Sequence, residues 1–265
     1  MSAIITAVVS VTSIGVICAA ILSIASKFMY VKIDDRIALL SNIMPGANCG
    51  ACGYPGCSAY ASALIEENAK SNLCAPGGAS LLAKISEILG VEAAGIEAKM
   101  AVISCRGSGQ NKKMKYNGIE SCMAAKNVFK GESSCAFSCL GYGDCKVVCP
   151  SDAICVEGGL ARVIAGKCTG CGLCVKTCPS RLISIEKADI PVIIACKNIE
   201  KGAITRKKCA SGCIACTKCV KECPQSAITI TDNIAVIDYN KCDGCGKCAS
   251  VCITKCIKLL LEKNS

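Results

Sequence analysis

The stretch KCTGCGLCVKTCP, residues 167–179, is the most informative part of this chain. Its cysteines follow the spacing C-x2-C-x2-C-x3-C, and a proline comes directly after the last one. The same cysteine spacing returns in KCDGCGKCASVCI, residues 241–253. Cysteines in tight runs on glycine-containing loops are typical of metal ligands, because several thiolates can converge there on one centre. Both stretches therefore predict metal-binding loops.

An offset of 74 residues relates these two stretches and also relates other cysteines around them. The matched pairs are Cys145 and Cys219, Cys149 and Cys223, Cys135 and Cys209, Cys139 and Cys213, and Cys122 and Cys196. So many matches at one offset predict an internal duplication.

Each copy resembles a bacterial two-cluster ferredoxin, a family that uses the run C-x2-C-x2-C-x3-C-P to bind [4Fe–4S] clusters. In that family the fourth cysteine of each run binds the other cluster, which ties the two halves of the domain together. For the second copy this implies one set of Cys213, Cys216, Cys219 and Cys252, and another of Cys242, Cys245, Cys248 and Cys223. Zinc is the alternative metal for such cysteine runs.

The first copy departs from the family pattern at one ligand, because Tyr142 stands where the second copy has Cys216. Our hypothesis is that Cys135 supplies the missing thiolate. The implied sets are then Cys135, Cys139, Cys145 and Cys178, and Cys168, Cys171, Cys174 and Cys149. The hypothesis predicts that Cys135→Ala damages a cluster and that Cys209→Ala does not.

A separate cysteine group lies nearer the N-terminus, with the spacing C-x2-C-x4-C-x16-C. Its members are Cys49, Cys52, Cys57 and Cys74. The residues between the last two, from Ser58 to Lys70, read as a helix that returns the fourth cysteine to the other three. A [4Fe–4S] cluster is favoured over zinc, because structural zinc sites usually pair two C-x2-C units. The three regions together predict twenty ligands and five [4Fe–4S] clusters.

Seven cysteines are left outside these sets: Cys18, Cys105, Cys122, Cys155, Cys196, Cys209 and Cys256. They are interpreted as small buried residues, several of them at strand ends. Cys209, beside a cluster run, is also a candidate for a spare or alternative ligand.

Composition supports the metal interpretation. The chain has 27 cysteines in 265 residues and no histidine, which excludes His-ligated haem, Rieske centres and imidazole acid–base catalysis. Thiolate ligation in tight runs indicates a reducing compartment. The formal charge of +10 is offset by five clusters of about −2 each with their thiolates. We therefore expect no nucleic-acid partner.

The N-terminus predicts a membrane anchor. No charged side chain occurs before Lys27, and residues 4–25 are mostly aliphatic, enough to cross a bilayer as a helix. A buried core helix and a signal peptide are the alternatives, but no basic residue precedes the apolar run. Lys27, Lys32 and Arg36 follow it, so the positive-inside rule places the N-terminus outside and the cluster regions in the cytoplasm.

The order of these parts resembles the B subunit of the Rnf complex over essentially the whole chain. The matching stretches are MPGANCGACGYPGC at 44–57, CLGYGDC at 139–145 and GCIAC at 212–216. The resemblance implies an iron–sulfur subunit of a membrane-bound, ion-translocating ferredoxin:NAD⁺ oxidoreductase, with soluble ferredoxin and other membrane subunits as partners. An iron–sulfur subunit of another anaerobic oxidoreductase and a zinc or metal-storage protein are the other hypotheses.

The sequence contains no G-x-G-x-x-G dinucleotide fingerprint after a predicted strand, and the anchor carries no charge within the membrane. We therefore expect no complete catalytic site on this chain, and assign nicotinamide, flavin and ion chemistry to partners. The predicted fold class is α+β. Its parts are an anchor at 1–26, a linker and [4Fe–4S] module at 27–90, a connecting segment at 91–134, and two ferredoxin domains at 135–190 and 191–265.

Overall fold

A computed structural model describes the chain over residues 2–28, 34–92, 95, 98–107, 112–128 and 130–260. Lys32, one of the basic residues used for orientation, lies outside them. The described helices are α1 (Ser2–Phe28), α2 (Asp35–Ile43), α3 (Cys57–Glu66), α4 (Gly78–Leu89), α5 (Cys122–Asn127), α6 (Asp144–Val147), α7 (Leu173–Thr177), α8 (Gly202–Lys208), α9 (Lys218–Lys221) and α10 (Lys247–Ser250). The described strands are β1 (Lys99–Ile103), β2 (Ile154–Glu157), β3 (Leu160–Val163), β4 (Ile183–Lys187), β5 (Val192–Ile194), β6 (Ile228–Thr231), β7 (Ile234–Ile237) and β8 (Ile257–Leu259).

The N-terminal apolar run forms one helix, as the sequence predicts. Within α1, the segment Ile4–Lys27 is long and apolar enough to cross a membrane, and none of it is buried against the rest of the protein. Its hydroxyl groups bond to the helix itself: Ser10 Oγ donates to the Ala7 carbonyl at 2.9 Å, and Thr12 Oγ1 to the Val8 carbonyl at 2.8 Å. Such internal bonds let polar side chains enter hydrocarbon.

Helices α2, α3 and α4 form a small module around the first cysteine group. Their buried contacts centre on Leu40, Tyr60 and Ile85. The predicted helix after Cys57 is confirmed, but it ends at Glu66. Asn68 has φ of +51°, a left-handed conformation that a right-handed helix cannot continue through.

Two units of similar construction follow, which we call the first unit (98–190) and the second unit (191–260). In the first unit β1 pairs antiparallel with β4, and β2 forms a hairpin with β3. In the second unit β5 pairs with β8, and β6 with β7. Short helices carry cysteines between these strand pairs: α6 and α7 in the first unit, α9 and α10 in the second.

The backbones of the two units match at the 74-residue offset. Ile154 pairs with Val163 in one hairpin, and residues 228 and 237 pair in the other. Gly141 and Gly143 have positive φ, and so do their counterparts Ala215 and Thr217. The loops on either side of Tyr142 and Cys216 therefore turn in the same way.

The pairing of the strands shows that one of the cysteine matches made at the 74-residue offset is wrong. Ile103 pairs with Ile183 and Ile194 with Ile257, and these two partners are 74 residues apart. Cys105 and Cys196 each lie two residues after these positions, so they are structural equivalents although 91 residues separate them. The pairing of Cys122 with Cys196 is therefore wrong, because the first unit has 17 additional residues between this strand and its cluster loop.

Strand β1 lies inside the segment predicted as a connection, 91–134, but it pairs along its whole length with β4. The pairing attaches part of that segment to the first unit. The reason is physical: β4 has an open edge, and β1 satisfies its backbone hydrogen bonds.

The two units pack against each other through their β1–β4 and β5–β8 sheets. The shared buried cluster consists of Met100, Val102, Ile190, Ile193 and Ala195. Full burial of one large aliphatic side chain contributes about 1.5–3 kcal/mol. The two units are therefore joined by an apolar contact as well as by the chain.

Candidate iron–sulfur sites

The second unit brings its cysteines together in the two predicted sets. Burial and the neighbouring thiols together raise the pKa of Cys219 to about 11; the thiols are those of Cys213, Cys216 and Cys252, with a smaller effect from Cys248. Burial likewise raises the pKa of Cys248 to about 11, with contributions from Cys242, Cys245 and Cys223. In each set the fourth cysteine comes from the other run, as in the crossed arrangement that the sequence predicts.

In one set of the first unit, the fourth cysteine again comes from the other run. Cys149, Cys168, Cys171 and Cys174 line a single cavity beside the apolar side chains of β2 and β4. Gly170, with φ of +68°, lies so close to β1 that a Cβ atom there would be 2.6 Å from the Lys99 carbonyl oxygen. Glycine thus lets this loop approach the strand.

The other set of the first unit differs from the sequence prediction. The cavity is lined by Cys122, Cys139, Cys145 and Cys178, together with Leu140, Leu182 and Ile183. Burial, together with the neighbouring thiols of Cys139, Cys122 and Cys178, raises the pKa of Cys145 to about 12. Cys122 therefore lines the cavity at which the sequence hypothesis placed Cys135.

Asp144 holds Cys122 in that position. Its carboxylate accepts hydrogen bonds from the N–H groups of Cys122 at 2.9 Å and Met123 at 3.1 Å, and from Ser121 Oγ at 2.9 Å. These are the first N–H groups of α5, which have no partner within the helix. Burial opposes ionisation, but these donors keep the pKa of Asp144 below its ordinary value. Asp144 thus links α5 to α6, the short helix that carries Cys145.

Cys135 lies at a different cavity, with Cys105, Cys196 and Cys209. The physical reason lies in Tyr142, whose hydroxyl donates to Glu132 Oε1 at 2.9 Å, while Lys112 forms an ion pair with the same oxygen at 3.0 Å. Because the tyrosine cannot supply a thiolate, the position is filled from α5. Cys122, and not Cys135, thus lines the cavity of Cys139, Cys145 and Cys178, although Cys139 also borders the cavity of Cys135.

The four cysteines of the N-terminal module also face one another. Burial raises the pKa of Cys74, and the thiols of Cys52, Cys57 and Cys49 raise it further. Cys57 begins α3, and its N–H group donates to Asn48 Oδ1 at 2.8 Å. This bond fixes the loop that carries the first three cysteines to the start of the helix.

Backbone N–H groups point at several of these sulfurs. The Ala153 N–H donates to Cys149 Sγ at 3.3 Å, and its counterpart Ala227 donates to Cys223 Sγ at the same distance. The Ala101 N–H donates to Cys168 Sγ at 3.3 Å. Hydrogen bonds to ligating sulfurs stabilise negative charge and tune cluster potentials.

The seven cysteines predicted as buried small residues divide into three groups by exposure. Cys122 and Cys256 are buried, but Cys105, Cys155, Cys196 and Cys209 are only partly so, and that prediction is wrong for them. Cys18 is exposed on α1.

Cys256 lies against the ligand set of the second unit. Its sulfur is 3.6 Å from Cys252 Sγ. Its thiol also hydrogen-bonds the Cys213 sulfur, which lowers the pKa of Cys213 and raises that of Cys256. Cys256 thus serves as a hydrogen-bond donor beside the set. The first unit has Leu182 at the equivalent position.

The cysteine thiols suit iron–sulfur clusters better than single metal ions. Among the described residues, no three Cys, Asp or Glu side chains are close enough to hold a single metal ion. The thiols surround small cavities instead. Thiolates are the ligands that [4Fe–4S] clusters require.

Family models match three parts of the chain. Residues 44–76 match the family described as "Putative Fe-S cluster". Two models, each described as "4Fe-4S dicluster domain", match residues 167–228 and 212–256. The chain therefore contains iron–sulfur domains of the [4Fe–4S] type.

Three curated relatives, all B subunits of ion-translocating complexes, match most of the chain. The B subunit of the Na⁺-translocating ferredoxin:NAD⁺ oxidoreductase complex of Acetobacterium woodii is 41% identical to this chain. The match covers 89% of this chain and 72% of the relative. The B subunit of the proton-translocating ferredoxin:NAD⁺ oxidoreductase complex of Clostridium ljungdahlii is 37% identical, over 99% of this chain and 94% of the relative. The B subunit of the ion-translocating oxidoreductase complex of Methanosarcina acetivorans is 34% identical, over 97% of this chain and 99% of the relative. The chain belongs to the family of these B subunits, those of the Rnf-type ion-translocating ferredoxin:NAD⁺ oxidoreductases.

Proposed function

We propose that this chain is the electron-transfer subunit of a membrane-bound, ion-translocating ferredoxin:NAD⁺ oxidoreductase. It accepts single electrons from soluble ferredoxin and delivers them to partner subunits in the membrane. The observation that carries the proposal is the grouping of cysteines into sets of four, in a chain that matches the B subunits of such complexes over nearly its whole length.

Five ligand sets belong to this proposal. They are Cys49, Cys52, Cys57 and Cys74; Cys122, Cys139, Cys145 and Cys178; Cys149, Cys168, Cys171 and Cys174; Cys213, Cys216, Cys219 and Cys252; and Cys223, Cys242, Cys245 and Cys248. A [4Fe–4S] cluster bound by such a set takes up and releases one electron.

The chain's own residues act by holding and tuning these sets. Each set in the two units contains at least one buried cysteine, and N–H groups such as that of Ala153 donate to the sulfurs. Burial disfavours added negative charge, whereas each donor favours it. The balance between burial and donors sets how readily each site is reduced.

The two units, 98–190 and 191–260, are proposed to be a duplicated two-cluster ferredoxin domain. The common register of their hairpins and the matching φ angles in their loops support this. The pairing of β1 with β4 favours a first domain that begins before residue 135.

The anchor is proposed to cross the cell membrane once, with the N-terminus outside and the cluster domains in the cytoplasm. Lys27 in the last turn of α1 and Arg36 at the start of α2 support this orientation. A reporter that is active only in the cytoplasm, fused after Ser265, is expected to be active. Activity of a reporter that works only outside the cytoplasm would contradict the orientation.

The function is tested with the complex purified without oxygen. Cys248→Ala removes a predicted ligand and is expected to abolish NAD⁺ reduction driven by reduced ferredoxin. NADH-driven reduction of an artificial acceptor, which the partner subunits perform, should remain near the parent value. Cys155→Ala, outside every set, is the control. Full ferredoxin-driven activity in Cys248→Ala would refute the proposed role.

A further inference from the structure

We propose that Cys105, Cys135, Cys196 and Cys209 bind an additional [4Fe–4S] cluster between the two units. The four side chains line one cavity at the junction of the units. None of them belongs to the five sets above. The first unit supplies two of the four and the second unit supplies the other two.

The four positions are two pairs of equivalents. Cys105 and Cys196 each follow the strand that enters their unit, by the strand registers. Cys135 and Cys209 are related by the 74-residue offset. The site therefore has approximate two-fold symmetry, as expected if each copy contributes the same two ligands to a shared centre.

The thiols lie near one another around this cavity. Burial raises the pKa of the Cys135, Cys105 and Cys196 thiols. Cys209 adds to this rise at Cys135 and at Cys105, and Cys135 adds to it at Cys196, so these pairs of thiols are neighbours. A Cβ atom on Gly107 would be 3.1 Å from Cys209 Sγ, so the chain after Cys105 runs directly against that sulfur. Residues from both units thus meet at one point.

The junction cavity is larger than the cavities at the two ligand sets of the first unit. This cavity has a volume of about 100 Å³. On the same measure, the cavities at the two ligand sets of the first unit have about 20 and 10 Å³. The junction therefore offers more room than two sites whose cysteine runs match the ferredoxin pattern.

The hydrogen bonds around these sulfurs follow the pattern of the ligand sets. At Cys139 and Cys213, the backbone two residues further on hydrogen-bonds the sulfur. In the same way, the backbone of Gly107 hydrogen-bonds the sulfur of Cys105, that of Phe137 the sulfur of Cys135, and that of Asn198 the sulfur of Cys196. Three of the four junction cysteines therefore have the local geometry found at assigned ligands.

Asn198 supplies a further donor. It is only 2% exposed, and its Nδ2 lies 3.6 Å from Cys135 Sγ. Its Oδ1 accepts from the Glu200 N–H group at 2.8 Å, which fixes the direction of the amide. A buried amide that donates to a sulfur suits a thiolate better than a neutral thiol, because it stabilises negative charge.

The charges at the junction also suit a cluster. Arg106, Lys197 and Lys208 line the cavity, and Lys208 is paired with Glu200. A [4Fe–4S] cluster with four thiolates carries about −2. The basic side chains offset this charge.

The position gives the site a role in the electron path, a point that rests on the proposed function. Cys139 belongs to a ligand set of the first unit and also lines the junction cavity, where its N–H group donates to Cys105 Sγ at 3.5 Å. The thiol of Cys196 is a neighbour of Cys213, a ligand of the second unit. A centre at the junction would connect the two units.

The test is iron and acid-labile sulfide analysis of the full chain, purified in detergent without oxygen. The parent is expected to contain about twenty-four of each. Cys196→Ala and Cys209→Ala should each lose about four. The double variant should lose no more than either single variant, since both remove the same centre. Cys155→Ala is the matched control.

Several results would overturn the proposal. They are about twenty iron in the parent, unchanged iron in both single variants, losses that add in the double variant, or one zinc per chain that these substitutions remove. Asn198→Ala keeps all four thiols and covers the case in which the cysteine variants do not fold. It should retain the parent iron and lower the midpoint potential of one cluster signal; unchanged potentials would count against the site. These readouts do not involve ferredoxin, so they stand apart from the test of the proposed function.

Discussion

The two units share a backbone but obtain one ligand in different ways. In the second unit Cys216 lies within its run, between two residues of positive φ, Ala215 and Thr217. In the first unit the same loop carries Tyr142 between Gly141 and Gly143, and the thiol comes from Cys122 on α5. In the proposed ligand sets, the position of a ligand around the cavity is thus retained even when its position in the sequence is not.

The largest effect is expected from removing the displaced ligand. Cys122→Ala should lose about four iron and four sulfide, because a cluster with three thiolates exposes an iron atom and loses it. Measurement is by metal analysis and EPR of anaerobically purified protein. Cys155→Ala should match the parent, and full iron in Cys122→Ala would show that Cys122 is not a ligand.

A second variant restores the regular pattern in the first unit. Adding Tyr142→Cys to Cys122→Ala gives the first unit the run of the second, on a loop with the same φ pattern. Most of the four iron atoms lost in the single variant should return. The same EPR signal should reappear. No recovery of iron would mean that the two loops differ more than their backbones indicate.

Removing the Asp144 carboxylate is expected to have a smaller effect, on the stability of the protein and on the rate of iron loss. Asp144→Ala removes the acceptor for the first N–H groups of α5, and hydrogen bonds to charged groups contribute about 1.5–3 kcal/mol. Thermal unfolding should begin at lower temperature and iron should be lost faster, while the parent iron content is reached after gentle purification. Since the pKa of Asp144 is lowered in the folded protein, its contribution is present near neutral pH and is lost as pH falls through that lowered value.

The second unit supplies the control for this variant. The residue equivalent to Asp144 is Lys218, which starts α9. Lys218→Ala should leave the stability and the iron content close to those of the parent. Equal losses in the two variants would mean that Asp144 has no special role in holding α5.

The smallest effect concerns Cys256, which replaces the Leu182 of the first unit. Cys256→Ala removes a donor to the Cys213 sulfur and should lower the midpoint potential of one cluster without loss of iron, because the reduced form loses a hydrogen bond. Potentiometric titration followed by EPR measures this. Iron loss in Cys256→Ala would identify Cys256 as a ligand.

The sequence predicted the regular parts well for a physical reason. Ligands within a run such as Cys168–Cys178 are close along the chain, so their spacing alone carries the geometry. The apolar run of α1 and the strands before Cys105 and Cys196 were likewise evident from local pattern, and these elements are confirmed.

The displaced ligand was not predictable from spacing, because 17 residues separate Cys122 from Cys139. The chance match of Cys122 with Cys196 at 74 residues also concealed that Cys105 is the true equivalent. The available signal was chemical: Tyr142 leaves a ligand position open, and Ser121 before Cys122 is a residue typical of a helix start. The junction cavity could not be foreseen either, since it depends on how two units pack.

The most direct measurement is the location of iron by anomalous scattering at the iron absorption edge, from crystals of the full chain grown without oxygen. We expect one group of iron atoms bonded to Cys122, Cys139, Cys145 and Cys178, and a separate group bonded to Cys105, Cys135, Cys196 and Cys209. Iron that joins Cys135 to Cys139 and Cys145, with Cys122 unbound, would contradict the ligand sets derived from the structure.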